Sequence, residues 1–140
     1  MSLSTYQRHL DNIPKQYRLL KLFRPPIYVI ELSNNQVSAV CYYKDGSSKR
    51  HQVNAAFSNR RMVIADFLSA VQAITDLLLK FSRHPFGISS FAVVNVTEEL
   101  IDGLTMIEIK AIREAVWAAS GQAKRRIVSS MVSYQGQVVS

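Results

Sequence analysis

The residues able to do chemistry are few and scattered. Glu31 stands near the end of the apolar run Ile27-Tyr28-Val29-Ile30-Glu31-Leu32 and is followed by Ser33-Asn34. A divalent cation needs several oxygen ligands, so one carboxylate beside a hydroxyl and an amide is no metal site and reads as a strand-end carboxylate. His9, His51 and His84 lack partners at metal-ligand spacing and read as solvated or locally hydrogen-bonded. Ser129 and Ser130 have no histidine near them in sequence to activate a hydroxyl. Cys41, the one cysteine, lies in an apolar stretch where a buried structural thiol is expected. It leaves no intrachain disulfide and fits a reducing compartment. No catalytic residue, metal or cofactor is expected from this inventory.

Charge supplies the other candidates. The formal net charge of +7 over 140 residues favours anionic partners. Cations gather at Lys49-Arg50-His51, Arg60-Arg61 and Lys124-Arg125-Arg126. No aromatics interleave them, and no helix-turn-helix, RNP, KH or zinc-finger signature accompanies them, so nucleic acid is the least favoured partner. Residues 4 to 24 place Ile13, Tyr17, Leu20 and Phe23 at helix-like spacing, with Lys15, Arg18, Lys21 and Arg24 between them. Three readings stay open for this segment: docking on its own domain, binding a protein, or lying on an anionic membrane surface. No run approaches the roughly 18 to 20 apolar residues that span a bilayer, and the N-terminus has no signal-peptide core. A cytoplasmic location is expected, peripheral at the inner membrane if the basic segment meets lipid.

The elements that must position these residues follow from pattern. A hydrophobic fraction of 48% and a charged fraction of 19% suit one folded core. We divide the chain into a basic amphipathic segment, 1–26, and a single domain, 27–140. Pro14 suits a first helical turn, and Pro25-Pro26 ends the first segment. Strands are predicted over 27–32, 37–43 and 49–57, the second turn being Lys44-Asp45-Gly46-Ser47. Asp66 is the predicted cap of a helix to about Phe81, stopped by Arg83-His84-Pro85-Phe86-Gly87. A buried strand follows over 88–96. Thr105 and Glu108 have capping-box spacing for a helix to about Ser120, with Gly121 as its C-terminal stop. Ile109, Ile112, Val116 and Ala119 should point inward, and Trp117 is read as core. A last strand starts near Lys124, and 131–139 is either its continuation or a hairpin. The class is α/β: a mixed five-stranded sheet, an antiparallel meander followed by βαβ, with flanking helices.

Four stretches carry a resemblance. Met62-Val63-Ile64-Ala65-Asp66-Phe67 is similar to the GVIADF segment that opens a helix in the MreB-type rod-shape-determining bacterial actins. Glu108-Ile109-Lys110-Ala111-Ile112-Arg113-Glu114-Ala115 resembles their ERRAIRESA, and Ala118 to Lys124 resembles their GAGAR turn. Val29-Ile30-Glu31-Leu32-Ser33-Asn34 stands where they carry the phosphate loop SIDLGT. The resemblance runs from about Ile27 to Val128 and implies one RNase H-like actin subdomain. A bacterial actin is more than twice as long, so its insertion subdomain and second lobe are expected to be absent here.

The departures bear on function. Glu31 keeps the acidic character of the phosphate loop, but Ser33 replaces its glycine and Asn34 its hydroxyl residue. Glycine is what lets backbone N–H groups approach phosphate. The family's catalytic glutamate falls near Ser129, Ser130 and Met131, none of them a carboxylate base. The resemblance therefore implies vestigial nucleotide binding at Glu31, Ser33 and Asn34. The expected function is a non-catalytic interaction module that modulates cell-shape or division filaments, with Tyr17, Leu20, Phe23, Lys124, Arg125 and Arg126 as interaction residues. Its partner would be a bacterial actin filament or a second copy. The alternatives are residual nucleotide binding, or a basic adaptor for anionic membrane or nucleic acid.

Overall fold

The computed structural model describes residues 3–13, 15–58, 64–81, 90–97, 104–134 and 137–138. Pro14, the Arg60-Arg61 pair, the first two residues of the GVIADF-like opening (Met62-Val63) and the 83–87 stop with His84 lie outside the described residues.

Alternation sets the sheet. In β1 (Ile27–Ser33) Tyr28, Ile30 and Leu32 face the main core, while Ile27 and Glu31 face the other way. β1 pairs antiparallel with β2 (Gln36–Tyr42), which pairs antiparallel with β3 (Ser48–Asn54). On its other side β1 runs parallel to β4 (Ser90–Val96), and β4 parallel to β5 (Ile127–Tyr134). A two-residue strand, β6 (Gln137–Val138), hairpins back onto β5, giving the order β3-β2-β1-β4-β5-β6. The five predicted strands are present. The open question at 131–139 resolves as both continuation and hairpin.

Two helices cover the main face. α3 (Phe67–Leu79) starts at Asp66, whose carboxylate accepts from Ser69 N at 3.1 Å. α4 (Met106–Ala123) starts at the predicted capping box: Thr105 N donates to Glu108 Oε2 at 2.9 Å, and Glu108 N to Thr105 Oγ1 at 3.2 Å. Ala70, Val71 and Ile74 of α3 and Ile112, Ala115 and Ala119 of α4 are buried in one cluster with β1 and β4. Small alanines on both helices let the two axes approach.

The end of α4 differs from expectation. Gly121 lies inside the helix, where an added Cβ would meet nothing within 4 Å. The left-handed stop is Lys124, with φ 55° and ψ 41°. Arg125 N donates to Ser120 O at 2.9 Å and Lys124 N to Gly121 O at 3.3 Å, a Schellman pair built without glycine. Inward packing of Ala119 and Ala123 carries the helix past the glycine to Ala123.

The N-terminal segment is three pieces rather than one amphipathic helix: α1 (Leu3–Asp11), a 3-10 turn (Lys15–Tyr17) and the five-residue α2 (Arg18–Leu22). An X-Pro step at Ile13-Pro14 disfavours helix there. The stripe that docks is Tyr6, Leu10 and Ile13, which pack on Ile27 and Phe91 on the reverse face of the sheet. Each such burial contributes about 1.5–3 kcal/mol. Tyr6 Oη donates to Pro25 O at 2.6 Å, and the His9 and Tyr42 rings meet at 5.0 Å. No helix among the described residues is long and apolar enough to cross a membrane.

Candidate functional site

Glu31, Ser33 and Asn34 come together at the β1–β2 hairpin. Glu31 is exposed on the reverse face and lies in register between Ser38 of β2 and Asn95 of β4. Asn95 Oδ1 in turn accepts a hydrogen bond from Ser133 Oγ of β5. A polar row therefore crosses the sheet near the carboxyl ends of β1, β4 and β5, where open α/β sheets take their ligands.

The hairpin itself is closed by its own side chains. Asn35 takes the left-handed position of the turn, φ 53°. Its Oδ1 accepts from Phe57 N at 2.9 Å and from Ser58 N at 2.8 Å, its N–H donates to Ser58 Oγ at 3.1 Å, and its carbonyl accepts from Ala55 N at 3.1 Å. The adjacent backbone donors Phe57 N and Ser58 N, which lie beside the turn and not in it, are thus engaged by its amide, and of the turn's own donors Asn35 N is held by Ser58 Oγ. Ser33 Oγ is turned along the hairpin to Gln36 Oε1 at 3.4 Å. Among the described residues no three His, Cys, Asp or Glu side chains converge as a metal site would require. Cys41 is buried and its thiol pKa is pushed up to about 12, chiefly by burial, so it is held as a neutral thiol.

The interaction residues fall apart into different roles. Tyr17 is half-buried, its ring edge-on to Phe91 at 5.4 Å. Leu20 belongs to α2, its side chain outside the description. Phe23 is 68% exposed beside Leu19 and Leu22. Lys124 and Arg126 are exposed. Arg125 is not part of that surface: it is buried, donating from Nη1 to Ala123 O and from Nη2 to Phe81 O, both at 2.8 Å. It ties the C-terminal ends of α3 and α4 together, where a cation suits both helix dipoles.

The sequence reading placed Trp117 in the core, and here it is corrected: Trp117 is 76% exposed, as are Met106 and Ile107 at 78% each. At about 100° per residue, 117 points about 120° away from the mean direction of Ile109, Ile112, Val116 and Ala119, off the buried stripe. The wheel held that signal. Beside this exposed face runs a groove of about 510 Å³, lined among others by Tyr17, Met106, Lys110, Arg113, Trp117 and Ile127. Asn35 and the Asn95–Ser133 pair were also missed. Only strand register and the approach of residues 55–58 give them a role.

The sheet order, with α3 and α4 on one face, is the expected α/β class: an antiparallel meander followed by parallel strands, with flanking helices. The solved structure of ethanolamine utilization protein EutJ from Carboxydothermus hydrogenoformans is similar, with a TM-score of 0.50 and 15% identity, over 78% of this chain and 37% of that one. The PPX-GPPA enzyme of Aquifex aeolicus matches with a TM-score of 0.40 and 11% identity, over 77% of this chain and 36% of that one. The chain thus spans well under half the length of either. No protein-family model matches it, and no curated protein sequence matches it. At 15% identity the likeness shows the fold alone.

Proposed function

We propose that the chain is a non-catalytic interaction module on an actin-like domain, whose partner is a filament of the bacterial-actin type acting in cell shape or division. The observation that carries the reading is the gathering of exposed apolar side chains among cations: Leu19, Leu22 and Phe23 beside Arg18 and Lys21, at the end of the domain away from the hairpin. Lys21 Nζ donates to Ile13 O at 3.3 Å, but Arg18 and the three apolar side chains face solvent and suit a partner with an apolar and acidic face. The motif resemblance to MreB-type proteins names the class of filament. In this reading the protein works in the cytoplasm, and α1 to α2 is the side that would meet an anionic inner membrane.

The test is co-sedimentation with the MreB-type filament of the same organism at physiological salt. Saturable binding, weakened by Leu22→Ala with Phe23→Ala, is the expected result. Absence of binding, with polymer mass unchanged, would overturn the reading. The polar row through Glu31, Asn95 and Ser133 favours one second reading, residual nucleotide binding, for which Glu31, Ser33 and Asn34 are the contacts.

A further inference from the structure

The outward pole of α4 is self-complementary. Ile107, Lys110, Glu114 and Trp117 follow one another at spacings of three, four and three, the period of a helix–helix seam. They centre away from the buried stripe of Ile109, Ile112, Val116 and Ala119, with Trp117 at its flank. All four are exposed, Ile107 at 78% and Trp117 at 76%. Lys110 and Glu114 sit 3.9 Å apart across one turn, with side chains 78% and 57% exposed, so neither is committed to the fold.

Reading this seam against its own reverse, about residue 112, sets Ile107 opposite Trp117 and Lys110 opposite Glu114. Each pairing occurs twice, as a two-fold axis requires. The reverse register is thus apolar against apolar at both ends and cation against anion twice between. A parallel arrangement would set Lys110 on Lys110 and Glu114 on Glu114. The 18-residue helix is about 27 Å long, enough for the whole seam to engage.

We infer that α4 docks antiparallel on α4 of a second copy of this chain, through Ile107, Lys110, Glu114 and Trp117. The apolar pairs supply the burial and the charge pairs fix the direction. One helix pair is a small interface, so the dimer is reversible and depends on concentration. The inference is independent of the filament reading: it concerns α4, and it stands or falls on the oligomeric state of the purified protein alone.

The experiment is sedimentation equilibrium of the full chain over a wide concentration range, with circular dichroism to verify that each variant is folded. The wild type is expected to show a monomer–dimer equilibrium. Trp117→Ala should weaken it, and Lys110→Glu or Glu114→Lys alone should each weaken it on the order of tenfold. An equimolar mixture of the Lys110→Glu and Glu114→Lys proteins should dimerise again, because each then faces its opposite. A wild type that stays monomeric throughout overturns the inference. So does a dimer indifferent to Trp117→Ala, or one that the mixture fails to restore.

Discussion

The β1–β2 hairpin and the outer face of α4 are both exposed and rich in side chains that could bind something, yet they differ in what is held by the fold. At the hairpin, Asn35 consumes the N–H groups of Phe57 and Ser58, and Ser33 is directed to Gln36. On α4, Lys110, Glu114 and Trp117 take no part in the core. The residue types alone would favour the hairpin as the functional end, since it carries the acid, hydroxyl and amide. Engagement reverses that ranking. A group already hydrogen-bonded within the fold must break that bond to serve a ligand, at about 1–3 kcal/mol for a buried donor left bare. The same contrast recurs inside the run Lys124-Arg125-Arg126, where the middle cation is buried structure and its neighbours are surface.

Substitutions can break or sharpen that contrast. The largest effect is expected at Arg125: Arg125→Met removes two charge-assisted hydrogen bonds to the carbonyls of Ala123 and Phe81. It should lower the unfolding free energy by about 3 kcal/mol in urea titration, whereas Arg126→Met should change it by less than about 0.5 kcal/mol. Next comes Asn35→Ala, which strips the acceptor from Phe57 N and Ser58 N and places alanine at φ 53°. A loss of about 2 kcal/mol is expected, with Asn35→Asp closer to wild type because it keeps the acceptor. The smallest effects are gains at the α4 terminus. Gly121→Ala, in open helical space, and Lys124→Gly, at a left-handed position, should each stabilise by about 0.5–1 kcal/mol in thermal unfolding.

Local chemistry was readable wherever it decides structure locally. Asp66 and Thr105-Glu108 start their helices as their side chains dictate. Asp45-Gly46 turns its hairpin, with Asp45 Oδ1 accepting from Ser47 N at 2.8 Å and Gly46 at φ 90°. What failed was set by contacts distant in sequence. The Ile13, Tyr17, Leu20, Phe23 stripe is an equally good helical pattern on paper, but the sheet takes Tyr6, Leu10 and Ile13 and leaves Phe23 in solvent. Gly121 is a good stop that packing overrides. Arg125 reads as one more surface cation until the ends of α3 and α4 meet over it. The hairpin site was legible as residue types, and its closure by Asn35 was not, because Phe57 and Ser58 lie more than 20 residues away.

If the domain works through its surface, as proposed, and not through residual nucleotide binding, the hairpin takes no phosphate. Calorimetric titration of the protein with magnesium and ATP tests this directly. A flat titration is the predicted result, unchanged by Glu31→Gln. A saturable heat that Glu31→Gln abolishes would contradict the account, because it would show the acid and the turn around it still open to a nucleotide.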